Sequence, residues 1–377
     1  MRRCDEYEAM LVQETLEGCI EALGGIGIFV KPGERVLIKP NLLRKSKPSD
    51  ATTTHPVVVA ALAEILIKHG ATVVIGDSPG GPFSPGMLNG IYKSTGMEEV
   101  AGATGASLNK NFGSYTAENP AGKFMKKLLL CDMKNDVDKI ICVAKLKTHA
   151  MMTYTGAVKN MFGMVPGVAK AEYHLNIPDY NDFADALIDI CLATEPVLTV
   201  MDGIVGMEGN GPAAGVPVKT NALLVSPSPY HLDMAACRLI GLKPEDVPML
   251  RCLDKRGFAK IDLSDIEFIG DSYDKFSRTP YKPPETKGVM NLTNASIPNF
   301  VRKFVAKYVQ TRPIFNKKVC NGCGVCREAC PPKIIEIKNS LAGLDYKDCI
   351  RCYCCQELCP KKAISIKRPF LSRIMRL

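Results

Sequence analysis

Nine of the sixteen cysteines lie after residue 319, in two runs whose spacing suits metal–sulfur chemistry. Both runs read C-x2-C-x2-C-x3-C-P, and they begin at Cys320 and at Cys349. Three thiolates on a tight loop can reach three irons of one cubane, whereas the fourth cysteine opens a helix whose first turn points away. We therefore expect the fourth thiolate of each run to bind the cluster of the other run.

This spacing is the one that bacterial ferredoxins use for two [4Fe–4S] clusters, so it predicts four thiolate ligands for each. The predicted ligands of the first cluster are Cys320, Cys323, Cys326 and Cys359, and those of the second are Cys349, Cys352, Cys355 and Cys330. The alternative is a pair of zinc sites, although zinc motifs usually offer two ligand pairs with a longer gap. Cys354 is left over, either as a packed thiol or as an alternative ligand to Cys355.

The charge balance is modestly basic, with 48 Lys and Arg against 39 Asp and Glu, a net charge of +9. Two oxidised four-thiolate cubanes, each about −2, would lower the net charge to about +5. Basic residues around the cysteines then serve as counter-charge and as docking sites for an acidic redox partner: Lys333, Lys338, Lys347, Arg351, Lys361 and Lys362. No helix or strand predicted from the sequence carries a stripe of basic residues that could contact a nucleic acid, so nucleic-acid binding is not expected.

The composition excludes several classes of protein. At roughly 150 residues per domain, 377 residues predict two or three domains. With 46% apolar and 23% charged residues, collagen, coiled coils and bulk disorder are excluded. No apolar stretch reaches the roughly 20 residues that span a bilayer, and no apolar signal core follows Met1. We therefore predict a cytoplasmic protein without a transmembrane segment, in which the cysteines stay reduced.

Before the cysteine runs, short β-branched segments alternate with amphipathic helices. The predicted strands are 35–41, 72–77, 139–144, 196–202 and 222–225, and the predicted helices lie near 5–23, 57–69, 87–103, 153–162, 179–193 and 230–240. Residues 104–130 are less regular, and a hairpin is one interpretation of them. Nearly all-apolar strands predict an α/β fold, with a mostly parallel sheet and flanking helices, followed by a small α+β domain of the bacterial-ferredoxin type.

Polar loops follow four of the predicted strands, at the edge where such sheets bind ligands. The candidate ligand-binding residues are Lys39, Asn41, Asp77, Ser78, Lys145, Lys147, His149, Lys159, Asn160, Asp202 and Glu208. Converging lysines would bind an anionic ligand, or a further unidentified cofactor, and His149, Lys147 and Asp77 are the candidates for catalysis. The alternative for the lysines is a set of solvated strand ends. The glycine-rich turns match no nucleotide-binding motif. His174, predicted in a polar loop, has no assigned role.

Residues 271–316 are proline-rich and are predicted to join an α/β domain at 1–270 to a ferredoxin-like domain at 317–366, which a basic tail at 367–377 follows. One helix is predicted inside the linker, with an apolar face of Val301, Phe304, Val305, Tyr308 and Val309. We favour an interpretation in which this helix packs the two domains together. Peripheral contact with a membrane surface is the alternative.

Several segments before the cysteines resemble a known family. They are VLIKPNLL, TTTHPVVVAALAEILIKHGA, GDSPGG, KLKTHAMMTYTGAVKNMFGMVPG and DGIVGMEGNGP, and they are similar to the domain-of-unknown-function 362 family of bacteria and archaea. That family is commonly fused to a C-terminal two-cluster ferredoxin, and the resemblance implies a cytoplasmic iron–sulfur protein of anaerobic or facultative metabolism. It implies no particular reaction.

Our leading hypothesis from these observations is an iron–sulfur protein that passes electrons to or from a redox reaction on an anionic ligand in the α/β domain, as a ferredoxin-linked oxidoreductase would. One alternative is a non-catalytic electron carrier or assembly module whose α/β domain binds a partner enzyme. A redox sensor is the third.

Overall fold

A computed structural model describes residues 1–276, 280–286 and 311–369. In these residues the strands are β1 (Arg2–Arg3), β2 (Arg35–Pro40), β3 (Thr72–Ile75), β4 (Ser107–Leu108), β5 (Ser114–Glu118), β6 (Lys127–Cys131), β7 (Lys139–His149), β8 (Thr153–Thr155), β9 (Leu198–Glu208), β10 (Val216–Ser226), β11 (Arg312–Phe315), β12 (Ile335–Lys338), β13 (Leu341–Leu344) and β14 (Ile364–Lys367). The α-helices are α1 (Ala9–Glu21), α2 (Pro56–Lys68), α3 (Pro85–Thr95), α4 (Met97–Thr104), α5 (Ala157–Asn160), α6 (Ala169–Asn176), α7 (Tyr180–Thr194), α8 (Pro229–Leu239), α9 (Pro248–Lys255), α10 (Val325–Ala329) and α11 (Cys354–Glu357).

Eight strands form the central sheet, in the order β1-β10-β9-β7-β2-β3-β4, with β8 paired to β7. The pairs within β9-β7-β2-β3-β4 are parallel, and β1, β10 and β8 pair antiparallel. In β2 and β7 every residue after the first is buried, as expected for strands covered on both faces. The predicted mostly parallel α/β sheet is confirmed.

The alternation of side chains along the strands divides the core into two layers. Val36 and Ile38 of β2 pack in one layer, which also holds the buried faces of α1, α2, α3 and α4. Leu37 of β2 and Cys142 of β7 pack in the other layer, with α5, α7, α8 and α9. Helices therefore cover both faces of the sheet, and the edge formed by the carboxyl ends of its parallel strands carries the polar residues.

Strand β7, which carries three of the candidate ligand-binding residues, is longer than predicted. Lys145, Lys147 and His149, expected in a loop after residue 144, all belong to β7. Residues two apart on a strand point to the same side, so these three side chains share one side of the sheet. Similarly, β9 continues through Glu208 instead of ending near residue 202. The longer strands place the polar residues on a rigid element.

Two predicted helices are wrong in part. Residues 153–155, predicted to be helical, form β8 against the end of β7, because the chain reverses after His149 and Thr153 takes a positive φ of 65°. Helix α5 begins only at Ala157, where the Asp233 carboxylate accepts hydrogen bonds from the backbone amides of Ala157 and Val158. The predicted helix near 87–103 is two helices, because Gly96 has a φ of 78° in the left-handed region.

The loop predicted around His174 is also wrong. Residues 169–176 form α6, and His174 is buried with 7% of its surface exposed. Its ring stacks on Phe183 of α7, with 4.6 Å between the ring centroids. The irregular region at 104–130 does contain a hairpin, formed by β5 and β6.

The cysteine-rich part forms a small unit of two strand pairs and two short helices. β11 pairs with β14 and β12 pairs with β13, all antiparallel. Residues 312–315, which the sequence prediction placed in the linker, therefore form an edge of this unit. The predicted helix over 301–309 and most of the basic tail, residues 370–377, lie outside the described residues. Within the described ranges, no helix is long and apolar enough to cross a membrane.

Candidate functional site

The eight motif cysteines lie around two cavities in the small unit. Cys320, Cys323, Cys326 and Cys359 line the first cavity, which has about 330 Å³ of empty space. Cys330, Cys349, Cys352 and Cys355 line the second, of about 310 Å³. The fourth cysteine of each run thus faces the cavity of the other run, as the spacing predicts. We call these the first and second cysteine cavities.

The surroundings of both cavities fit a thiolate-bound iron–sulfur group. The first cavity is walled by apolar side chains such as Ile337 and Ile364, and the second by Ile334 and Leu344. The backbone amides of Ala342 and Ala363 donate to the sulfurs of Cys320 and Cys359, at 3.5 and 3.3 Å. Such hydrogen bonds and apolar shells tune the potentials of protein-bound clusters.

Gly322 shows how closely the loop wraps the first cavity. Its φ is 68°, and a Cβ atom there would lie 2.6 Å from the carbonyl oxygen of Ser340. Within the described part of the chain, no group of three or more His, Cys, Asp or Glu side chains could hold a single metal ion. The thiols are instead distributed around two larger cavities.

Helix α11 of the small unit packs directly on the polar edge of the central sheet. A carboxylate oxygen of Glu357 lies 3.8 Å from Nε2 of His149. The Gln356 side-chain amide donates to the carbonyl of Asn210 at 2.8 Å, and the Arg44 guanidinium donates to the carbonyl of Cys359. The small unit is therefore joined, at the predicted ligand site, to the part of the chain built on the eight-stranded sheet, which we call the large unit.

Two of the predicted lysines are buried and paired with carboxylates. Nζ of Lys39 lies 2.7 Å from Asp77 and donates to Oδ1 of Asn160 at 2.9 Å. Nζ of Lys145 lies 2.8 Å from Asp202. The alternative of solvated strand ends is therefore wrong for both. We call Lys39 and Lys145 the paired lysines, and their geometry indicates a role in holding strands and loops together.

Tyr7, which the sequence did not single out, completes the environment of Lys145. Its hydroxyl donates to Oδ1 of Asp202 at 2.8 Å and accepts from Nζ of Lys145 at 2.8 Å. Its ring stacks on His55 with 3.6 Å between centroids. His55 itself accepts from the Val57 amide and caps α2.

Lys147 and Lys159 are arranged differently. Lys147 is 1% exposed, and its ammonium donates to Oδ1 of Asn41 at 2.7 Å and to the carbonyl of Thr52 at 2.5 Å, but it forms no ion pair with the described carboxylates. Burial lowers the pKa of Lys147 well below its usual value. Lys159 has no hydrogen-bond or ion-pair partner among the described residues. Burial also lowers its pKa, which nearby Glu357 opposes.

Two histidines lie beside these lysines. Nδ1 of His149 accepts from the amides of Met151 and Met152, at 3.0 and 3.2 Å, so the hydrogen-bond pattern assigns its proton to Nε2. Nε2 of His149 and Nδ1 of His174 are buried without hydrogen-bond partners in the described part of the chain. Burial and the neighbouring Lys159 lower both pKa values, that of His174 to about 3. Both rings are therefore neutral at pH 7.

We call Lys147, Lys159, His149 and His174 the unpaired cluster. It faces Glu357 and the Cys354 thiol of α11, both of which act on the pKa of Lys159. Ser78, also predicted for the site, lies beside Cys131 instead, and its backbone carbonyl accepts from the Lys170 ammonium. The sequence had left His174 unassigned and did not connect α11 with this site. The Lys159 ammonium, which is half-buried, and Nε2–H of His149 are donors without hydrogen-bond partners among the described residues, and such donors are suited to binding an anion.

The other predicted residues have different positions. Asn160 and Asn41 join Lys39 to Lys147, since Asn160 accepts from Lys39, Asn41 accepts from Lys147, and the Asn41 amide donates to Oδ1 of Asn160 at 3.1 Å. The Glu208 carboxylate accepts from the backbone amide of Lys282 at 2.9 Å and lies 3.6 Å from the Lys282 ammonium. Glu208 therefore holds the segment 280–286 on the large unit.

Comparison with known proteins also divides the chain into two parts, which correspond to the large unit and the small unit. The model of the family described as "Domain of unknown function (DUF362)" matches residues 36–238, and that of the "4Fe-4S dicluster domain" matches residues 312–360. A relative from Synechocystis sp., named "Thylakoid-associated protein sll1697", is 35% identical over 257 residues, 68% of this chain and 78% of that protein.

A solved structure, the lactate racemase apoprotein from Thermoanaerobacterium thermosaccharolyticum, is 12% identical with a TM-score of 0.41; the match covers 63% of this chain and 56% of that one. The family model and the Synechocystis relative establish the family, and the second model establishes an iron–sulfur module at its end. The chain belongs to the DUF362 family and carries a C-terminal 4Fe-4S dicluster domain.

Proposed function

We propose that the chain transfers electrons through two [4Fe–4S] clusters to or from an anionic organic substrate held at the unpaired cluster. The clusters would be held in the first and second cysteine cavities by the four thiolates that line each. When bound, they supply single electrons of low potential. On this proposal the chain is a ferredoxin-linked oxidoreductase, with a substrate unit at 1–270 and an electron-transfer unit that runs from β11 to β14.

The observation that carries this proposal is the position of α11. Cys355 of this helix lines the second cysteine cavity, while its neighbour Cys354 and Glu357 face the unpaired cluster. Cys354 and Cys355 are consecutive residues, so their Cα atoms are about 3.8 Å apart. The single turn of α11 is therefore all that separates the second cysteine cavity from the unpaired cluster. A carrier that used its large unit only to recognise a partner would not need this contact.

The large unit supports an anion by charge and by hydrogen bonding. The Lys159 ammonium has no partner among the described residues, so its three donors are available to a carboxylate or phosphate oxygen. Nε2–H of neutral His149 is a second donor on the same side. Because His149 is buried and Lys159 is half-buried, their attraction for an anion is stronger than at a fully exposed surface.

Glu357 is suited to interact with the donors of this site when no ligand is bound. Its carboxylate lies near His149 and also opposes the effect of burial on Lys159. An entering anion would compete with Glu357 for the same donors. Glu357 would then mark the substrate position and limit the binding of weak anions such as chloride.

A cytoplasmic location in anaerobic or facultative metabolism and a partner protein that supplies the electrons belong to the same proposal. The Synechocystis relative is, by its name, associated with thylakoids. Fractionation of cells that make the tagged chain tests this part, because a cytoplasmic protein stays in the supernatant at low salt.

The test of the function uses protein purified without oxygen and reduced with dithionite. After excess reductant is removed, the protein is mixed with a panel of organic carboxylates and phosphate esters, and reoxidation of the clusters is followed by visible absorption. We expect one class of anion to reoxidise the parent protein but not Lys159→Gln. The control Lys93→Gln changes an exposed lysine of α3 and should behave as the parent. Clusters that form and reduce but respond to no anion would support the carrier alternative.

A further inference from the structure

The two cysteine cavities differ in their exposure to solvent and to the large unit. The second cavity is lined by Tyr353, a buried residue that packs into the core of the large unit, and it shares α11 with the unpaired cluster. The first cavity is lined by Cys323, which is exposed on the surface. The second cavity is therefore the inner one, and the first is the one that another protein can approach.

The surface around the first cavity is basic. Lys361 lines the cavity, and no acidic residue does so among the described ones. The Asn316 amide donates to the carbonyl of Ala363 at 2.8 Å, which places Lys317 and Lys318 beside the segment that carries Lys361. All three lysines are exposed, and none forms an ion pair with a described residue. Their charges are therefore available to a partner.

Apolar side chains lie among these lysines. Val319 is 44% exposed and Val325 is 39% exposed, on either side of Cys323 in the sequence. An exposed apolar centre with a charged rim is the usual anatomy of a protein interface. By contrast, Lys338 on the same unit pairs with Glu336 and Lys333 lies 3.9 Å from Glu328, so part of the remaining positive charge is neutralised locally.

We propose that this surface, formed by Lys317, Lys318, Lys361, Val319 and Val325 around Cys323, docks an acidic electron-transfer protein with a redox centre near its own surface. The inference rests on the proposed function and adds the direction of transfer: the partner would lose one electron and be oxidised, and the cluster that the first cavity would hold would gain that electron and be reduced. No bond would form or break and no proton would move. The thiolates of the second cavity would hold the cluster that lies between the first one and the substrate site.

The experiment measures how fast a reduced plant-type [2Fe–2S] ferredoxin with an acidic surface reduces the oxidised holoprotein in an anaerobic stopped-flow instrument. The variant K317Q/K318Q/K361Q removes three charges from the surface. The matched control K333Q/K338Q/K347Q removes three charges elsewhere on the same unit. At about 20 mM salt we expect the first variant to react at least about tenfold more slowly than the parent, and the control to react within about twofold of it.

Salt provides the second readout. Between about 20 and about 500 mM salt the rate for the parent should fall towards that of K317Q/K318Q/K361Q, because screening removes the long-range attraction. Equal rates for the two triple variants, a rate that does not fall with salt, or no reaction with the acidic ferredoxin would overturn the docking surface. If dithionite still reduces the clusters in those cases, the proposed function stands, whereas protein without iron and sulfide would overturn both.

Discussion

The lysines at the sheet edge form two groups that look alike in the sequence but have opposite surroundings. Lys39 and Lys145 each contact a buried carboxylate at 2.7–2.8 Å. Lys147 and Lys159 form no ion pair with a described residue and face the helix that carries Cys355. Lys159 is half-buried and has no partner among the described residues, and a charge held in this way is typical of a functional site. The difference separates Lys39 and Lys145, which hold the fold through ion pairs, from Lys159, whose ammonium is available to a ligand.

The largest effect is expected from breaking a paired lysine. Lys145→Met leaves the Asp202 carboxylate buried without its counter-charge and should lower the free energy of unfolding by about 3–5 kcal/mol. Urea unfolding of the anaerobic protein measures this. Adding Asp202→Asn should restore much of the loss, because the amide keeps a hydrogen-bond acceptor for Tyr7 without the charge. A Lys145→Met protein as stable as the parent would contradict the distinction between the two groups.

A smaller effect is expected from changing Tyr7, which bonds both members of the Lys145–Asp202 pair. Tyr7→Phe removes a hydroxyl that donates to Asp202 and accepts from Lys145 and from the Val205 amide. The lost hydrogen bonds should cost about 1–3 kcal/mol of unfolding free energy, while the ring keeps its stack on His55. The same denaturation assay applies, and a change below about 0.5 kcal/mol would show that Lys145 and Asp202 do not need Tyr7.

The free energy of unfolding should depend on pH through His174, and the direction of its pKa shift gives the sign of that dependence. Burial lowers its pKa from 6.5 to about 3, so between these values the unfolded chain binds a proton that the folded chain does not. Stability contributed by neutral His174 is present above pH 6.5 and is lost as the pH falls. Between pH 6.5 and pH 5.0 the loss should be about 1.5 kcal/mol greater in the parent than in His174→Gln. Equal losses in the two proteins would place this histidine in contact with water.

The smallest effect on stability is expected at Lys159. Lys159→Gln removes a charge that has no partner among the described residues, so the free energy of unfolding should stay within about 0.5 kcal/mol of the parent. Lys145→Met and Lys159→Gln each remove one ammonium from the same sheet edge, so the difference in their free energies of unfolding measures what the carboxylate partner contributes. A loss above about 2 kcal/mol would mean that Lys159 also supports the fold.

The sequence predicted most reliably what depends on local spacing. Each x2 gap between cysteines restricts a short loop, and the predicted partition of the eight cysteines matches the residues that line the two cavities. The parallel sheet followed from apolar strands that alternate with helices. The candidate residues at its edge followed from the rule that carboxyl ends of parallel strands share one edge.

What the sequence could not supply depends on contacts between distant segments. Which lysines are paired depends on Asp77 and Asp202, and nothing near Lys39 or Lys145 in the sequence distinguishes them from Lys147. His174 was missed because a short polar helix has a weak amphipathic signal. The contact between Glu357 and His149 joins residues 208 positions apart, so it emerges only when the small unit is folded on the large one.

The most direct test of the account is a potentiometric titration of both clusters in the parent and in Lys159→Gln, followed by EPR. Lys159 lies beside α11, which lines the second cysteine cavity but not the first. Removing its charge should lower one midpoint potential by an amount on the order of tens of millivolts and leave the other unchanged. If both potentials stay the same, the second cluster does not sense the unpaired cluster, and the proposed transfer of electrons to that site is contradicted.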